Sequence, residues 1–392
     1  MTSTIHTQSS RPVSPVFASF ALPGAEDVFD LVALQHARAV AETFLDRFEG
    51  ELEASSEQLV PLLRGWLGRD PTAEQVRHPS VGLLRRALDP TDSTSPVVAA
   101  AALLLHLQST GTHGSWRASF AAPVDLLWER WRLPTASALA VRATAGRASV
   151  RLAGPGATRG VELSRAAGRW DTEDATSLSA FTLAGRSVAI VTPVGAESAR
   201  LLGGRDQPPV PVAVRDLGAA AELLEVASPE YAAWAGRPLW GVVPALTPAD
   251  TLISASIRAC PWMVMTCCPA GPEQLAELLV HESTHQYLYL LSQFGPLDDG
   301  SDEELYYSPL KETGRPIGAI LLAYHACANM LLMHDHLRAA GHASTSSAAR
   351  RTTLIDQVRV LESALRRSRA ITEIGDALWE PLAARLDAAE LR

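Results

Sequence analysis

The chain has almost no lysine: among 34 basic residues it holds 33 Arg and a single Lys, Lys311. Positive charge is also in deficit, with 43 acidic residues and a formal net charge of −9. Phosphate neutralisation needs a positive surface, so this balance argues against a general nucleic-acid binder. Cysteine is scarce too. The four Cys (Cys260, Cys267, Cys268, Cys327) form no CxxC pair, which excludes a disulfide scaffold and makes a reducing cytoplasm the simplest expected compartment. No apolar run reaches the ~20 residues of a membrane span. The N-terminal stretch lacks a charged region followed by an apolar one, so neither secretion nor a membrane partner is expected. Glycine-rich stretches such as AGPGATRG lack the ending and context of a phosphate loop, and no serine lies in a nucleophile elbow.

What remains is 392 residues, 47% apolar and 20% charged, enough chain for more than one core. The texture changes twice along it. Residues 1–22 are rich in Ser, Thr and Pro and read as a flexible arm. Residues 23–135 read as helical, with runs at Ala25–Glu49, Gln58–Leu67, Gly82–Leu88, Ser95–Leu107 and Val124–Trp131, ended by Pro134. Residues 136–270 carry short strand-like runs between Gly and Pro: Ala138–Ala143, Ala148–Leu152, Gly160–Ser164, Ser187–Thr192, Pro209–Arg215, Leu239–Val243 and Trp262–Thr266. A helix near Ala219–Val226 interrupts them. Residues 271–392 read as a helical metal-binding domain. The order helical, mixed, helical predicts an α+β fold.

One segment carries chemistry: GPEQLAELLVHESTHQYLYLLSQF, residues 271–294. Pro272 suits the first turn of a helix, and Glu273 and Glu277 suit its positive end. His281 and His285 stand one turn apart, ~40° around the axis, so both imidazoles can meet one metal ion while Glu282 sits beside it. HExxH arises by chance about 0.02 times in a chain of this composition, so coincidence is a poor account of it.

A third protein ligand is required. The next helical segment, RPIGAILLAYHACANMLLMHDHL, offers His325 in the middle of an apolar run. An isolated His there is ordinarily a hydrogen-bonded core residue, but a neighbouring motif short of one ligand reverses that expectation. His336 lies ~16 Å further along the axis and is too far for the same ion. His334 and His336, around Asp335, read as the solvated end of the helix. Glu303, Glu304 and Glu312 compete from the connecting loop and would give a two-His-one-carboxylate site.

Two reaction classes fit. Zinc with Glu282 as base is peptide hydrolysis. Ferrous iron, with open positions for a 2-oxo acid and dioxygen, is oxygenase chemistry and needs a cation near the metal for the co-substrate's far carboxylate. Cys267 and Cys268, adjacent in a strand, point to opposite faces and read as packing. Tyr306, Tyr307 and Tyr324 read more simply as packing than as pocket groups.

The segments LVHESTHQYLYLL and LYYSPLKETGRPIGAILLAYHACANM resemble the HExxH-type peptide β-hydroxylases that depend on 2-oxoglutarate, tailoring enzymes of peptide natural products with a zincin-like pair of metal helices. In that family Ser-Pro-Trp-Arg and then Arg-Pro precede a helix holding the third His. Ser308, Pro309, Arg315 and Pro316 match. Leu310 and Lys311 stand in place of the Trp and Arg, and His325 lies one turn beyond Leu322, where many members place their His. The resemblance covers roughly residues 250–335. It implies His281, His285 and His325 as ligands to Fe(II), Arg315 and then Lys311 as partners of 2-oxoglutarate, and Glu282 as a residue that orients a ligand or substrate. The implied activity is hydroxylation of a side-chain carbon in a peptide or carrier-bound peptide. A zinc metallopeptidase with Glu282 as catalytic base is the alternative, and a non-catalytic peptide-binding scaffold the third reading.

Overall fold

The structure is a computed structural model, and it describes residues 17–24, 28–69, 71–154, 157–166, 169–192, 202–248 and 251–391. The chain is α+β, with helical N- and C-terminal regions and sheets between them. It divides into two compact units. One comprises residues 30–286, the other residues 1–29 with 287–392.

The larger unit begins with helices α2 (Phe29–Ser55), α3 (Leu59–Leu67), α4 (Ala73–Val76), α5 (Pro79–Leu88) and α6 (Pro96–Ser109). Their starts follow local chemistry. Thr72 and Gln75 form a capping box on α4, and Pro79 and Pro96 occupy first turns, where a missing N–H costs nothing. α6 is buried almost all round, consistent with its unbroken VVAAAALLL run.

Helix ends earlier than the sequence predicts. Residues from Gly114 onward are strands: β1 (Gly114–Val124), β2 (Leu127–Trp128) and β3 (Trp131–Arg132). The segment Val124–Trp131, expected as helix, is therefore a hairpin in which Trp128 pairs with Trp131. Glu129 takes a φ of 53°, as a two-residue hairpin turn demands. Its aromatic and Leu content serves a pleated surface rather than a helical stripe.

β4 (Ala136–Thr144), β5 (Arg147–Gly154), β6 (Ala157–Ala166) and β7 (Arg169–Asp171) complete an antiparallel sheet ordered β1-β4-β5-β6-β7. β8 (Thr176–Ser177) joins β2 and β3. Alternation is clean here: Val141, Val150 and Val161 lie in register on the buried face.

The sheet that positions the motif is ordered β12-β13-β11-β10-β9. It contains β9 (Ala180–Leu183), β10 (Arg186–Ile190), β11 (Gly241–Ala245), β12 (Ser254–Ala255) and β13 (Met263–Cys267). β10, β11 and β13 run parallel, and β9 and β12 lie antiparallel at the edges. The crossover from β10 to β11 carries α7 (Val210–Ala227) and α8 (Pro229–Gly236). Pro209–Arg215, expected as a strand, is instead the cap and first turns of α7. Pro211 sits where the missing donor is tolerated, so the Val-Pro-Val pattern does not exclude a helix. β11 and β13 are buried at every position, which explains their continuous apolar sequences. All four Cys are buried thiols outside any disulfide. Burial pushes the Cys267 thiol up and the Cys268 thiol up to about 12, so both stay protonated at neutral pH.

Helix α9 (Pro272–Leu291) follows β13, and its last turn belongs to the smaller unit. That unit also holds the turn α1 (Ala18–Ala21), a hairpin of β14 (Tyr306–Ser308) and β15 (Thr313–Arg315), and helices α10 (Ile317–Ala339), α11 (Thr345–Arg367) and α12 (Glu373–Ala388). Residues 1–16 of the expected arm lie outside the described residues. Its end is ordered: Phe20 is fully buried against Phe29 and Tyr287. α10 is long and apolar enough by composition to cross a membrane, yet 78% of its most apolar window is buried within the protein, as in a core helix. His334, expected at a solvated helix end, is buried on α10, its Nδ1 2.8 Å from the Ser347 hydroxyl of α11.

Candidate metal centre

α9 is clamped before it presents anything. Gln286 donates its amide N–H to the Met263 carbonyl at 3.1 Å, and its Oε1 accepts from the Trp262 N–H at 3.0 Å. Ser283 donates to the Ala235 carbonyl at 2.9 Å. These two side chains, three residues apart, tie one face of the helix to the start of β13 and to α8. Among apolar neighbours they look like interruptions; in the fold they are anchors. Sequence reasoning missed both, although two amide and hydroxyl groups inside a buried helix were the available signal.

The other face carries the motif. The Nε2 atoms of His281 and His285 stand 3.1 Å apart, with the rings nearly perpendicular at 83°. Two nitrogens each about 2.1 Å from one ion, at octahedral or tetrahedral angles, lie about 3.0–3.4 Å apart. The donor separation therefore fits a shared metal. Both rings are half-buried, open enough for an ion to enter.

Glu282 is 2% exposed, and its Oε1 lies 3.7 Å from His281 Nε2. Its Oε2 has no hydrogen-bond partner among the described residues. Burial raises its pKa above the ordinary carboxylate value, opposed by the His281 ring and by the hydroxyls of Ser254 and Ser256. Ser254 opens the antiparallel edge strand β12 and Ser256 follows it. An unsatisfied, buried carboxylate oxygen beside two paired imidazoles is what a cation would relieve. Among the described residues, His281, Glu282 and His285 are the one group whose ligand atoms lie within 4.8 Å of one another.

His325, expected as the third ligand, is committed elsewhere. It is fully buried, and its Nε2 lies 3.0 Å from the Phe20 carbonyl and 3.1 Å from the Ala21 carbonyl, so this nitrogen carries the proton and donates. Burial lowers its pKa to about 4 against the opposing effect of those carbonyls. Asn329, the only Asn in the chain, donates to the Ala21 carbonyl at 2.9 Å and to the His325 carbonyl at 2.8 Å. His325 and Asn329, one turn apart on α10, hold the N-terminal turn. The ordinary reading of a His in an apolar run prevails, because a segment 304 residues away in sequence supplies its acceptor.

The cations of the connecting segment occupy the β14–β15 hairpin. Arg315 is half-buried at the end of β15, opposite Tyr306. Lys311 is exposed in the turn. Among the described residues neither side chain has an ion-pair or hydrogen-bond partner. Glu303, Glu304 and Glu312 are exposed, and Glu304 lies 3.7 Å from Arg367. Tyr306 donates to Asp302 at 2.6 Å, and Tyr324 is buried against Trp379. No protein-family model matches the chain, and no curated protein matches it in sequence.

Proposed function

We propose that this chain is a metal-dependent enzyme acting on peptides, an Fe(II)- and 2-oxoglutarate-dependent hydroxylase of a side-chain carbon. The observation that carries the metal is the 3.1 Å separation of His281 and His285 Nε2 on a clamped helix. Ferrous iron, when bound, would supply the redox chemistry by which dioxygen oxidatively decarboxylates 2-oxoglutarate and hydroxylates a C–H bond, one oxygen atom going to succinate and one to the alcohol, with carbon dioxide released. His281 and His285 would hold it, and His325, which donates to the Phe20 and Ala21 carbonyls, would not complete the set. Gln286 and Ser283 fix the rotation of the helix, and hence where the imidazoles point. The resemblance assigns Arg315, then Lys311, to the far carboxylate of the diacid. Glu282, with Oε1 3.7 Å from His281 Nε2, would orient that ligand or the substrate.

The family resemblance favours iron over zinc, since Ser308, Pro309, Arg315 and Pro316 match its pattern. A zinc peptidase is the second reading. It is favoured by the unpartnered Glu282 Oε2, which is placed to take a proton as a general base does.

The deciding experiment supplies anaerobically purified chain with Fe(II), 2-oxoglutarate, oxygen and a library of peptides. Succinate formation matched by a +16 Da peptide supports the hydroxylase. Cleavage of a casein substrate by the zinc-loaded chain, lost about 10²–10⁴-fold in Glu282→Gln, with no succinate under any condition, replaces it by the peptidase. A chain that retains neither metal is a binding scaffold.

A further inference from the structure

The outer face of the antiparallel sheet concentrates positive charge in a chain of net charge −9. Arg117 on β1, Arg142 on β4, and Arg147 and Arg151 on β5 are all exposed. The register places them together. Arg142 stands opposite Ser115 and Ser149, while Arg117 and Arg151 both stand opposite Ala140, and Arg147 stands opposite Thr144. Arg142 is thus the diagonal neighbour of the other three, about 7–8 Å from each. Among the described residues, none of the four guanidinium groups has an ion-pair or hydrogen-bond partner. The nearest carboxylate in register, Glu162 opposite Ser149, accepts the Ser149 hydroxyl at 2.6 Å and stands diagonal to Arg147 and Arg151, with no ion pair to either among the described residues.

Four like charges are therefore grouped on one exposed face of the sheet. Their neighbours on that face, Ala138, Ala140, Ala153 and Gly160, are small, so the guanidinium forks stand clear of any wall. This is a flat surface with projecting bidentate donors, suited to carboxylates.

We propose that this face binds an acidic peptide segment, a Glu- and Asp-rich stretch of the peptide substrate. The proposal rests on the reading of the metal site as acting on peptides only for the identity of the partner. A polynucleotide is disfavoured. The face offers no aromatic ring for a base to stack on. A peptide with three or four spaced carboxylates matches the ~14 Å from Arg147 to Arg151, four residues along one strand.

The test uses the full chain and a fluorescein-labelled 12-residue peptide alternating Glu and Ser, with its Gln-Ser counterpart and dT12 as comparisons, read by fluorescence anisotropy at low and physiological salt. Saturable binding of the Glu peptide, about tenfold weaker for each of Arg142→Glu and Arg151→Glu and weakened by salt, is expected. Arg359→Glu, an exposed site in the other unit, should leave it unchanged, and thermal melts check that each variant is folded. Equal binding of the Gln peptide, unaltered binding by the double variant Arg142→Glu/Arg151→Glu, no binding at all, or tighter binding of dT12 each overturns the proposal. The assay needs neither metal nor turnover, so its failure leaves the hydroxylase reading standing, and failure of succinate formation leaves this surface standing.

Discussion

Gln286 grips the main chain at Met263 with one end of its amide and at Trp262 with the other, at 3.1 and 3.0 Å. One side chain satisfies a donor and an acceptor at the mouth of a fully buried strand. It also fixes the helix one residue beyond His285. Positioning of the imidazoles and integrity of the sheet therefore share a single residue.

Gln286→Ala removes both contacts and leaves two buried main-chain groups unpaired, at about 1–3 kcal/mol each. A lower denaturation midpoint is expected, with metal affinity reduced about 10–100-fold, as for other groups that orient ligands. Gln286→Glu keeps the acceptor for Trp262 and should recover part of each loss. Chemical denaturation and metal titration on the same preparations check both.

His281→Ala and His285→Ala should each abolish stoichiometric metal binding while leaving the fold intact, because both rings are only half-buried. Elemental analysis of anaerobically reconstituted protein measures the first. The second appears as loss of metal-induced stabilisation, which for the parent chain should reach about 2.7 kcal/mol at a hundredfold excess of metal over Kd.

His325→Leu keeps the bulk but removes the donor to the Phe20 and Ala21 carbonyls. It should cost about 1–3 kcal/mol and release the N-terminal turn, seen as faster proteolysis near residues 17–24. Asn329→Ala, which loses its bond to the same Ala21 carbonyl, should behave alike. Metal content should remain that of the parent. Its loss in His325→Leu would restore His325 to the ligand set.

Acid should weaken the fold as buried histidines take up protons. Burial lowers the pKa of His106 to about 4 and that of His78, stacked on it at 3.8 Å, well below 6.5. Burial, with Arg85 and Arg258, lowers His36 to about 4 as well. Each is neutral when folded and binds a proton more readily when unfolded. Their contribution is complete above pH 6.5 and is lost as pH falls from about 6.5 towards 4. Melting temperature should drop across that window. His106→Phe, which preserves the stack but cannot titrate, should flatten the slope.

The motif was legible because its logic is local. Two His at i and i+4 share a helix face wherever that helix lies, and Pro272 with the preceding apolar strand marked the helix. The α+β order was equally legible, since the texture of apolar residues changes with the period of each element. Val124–Trp131 and Pro209–Arg215 were misread because short segments of aromatic, Val and Pro residues satisfy either period. A hairpin turn at Glu129 and a first-turn proline at 211 decided between them.

By itself the sequence determined that His281 and His285 share one helix face, that Glu282 lies beside them, and that a sheet-bearing region stands between helical ones. Tertiary structure alone decided what each polar group meets. His325 went to the carbonyls of Phe20 and Ala21, Gln286 to the start of a strand, and four scattered arginines to one sheet face. Spacing along a helix is fixed by backbone geometry, whereas a hydrogen-bond partner hundreds of residues away is chosen only when the chain packs.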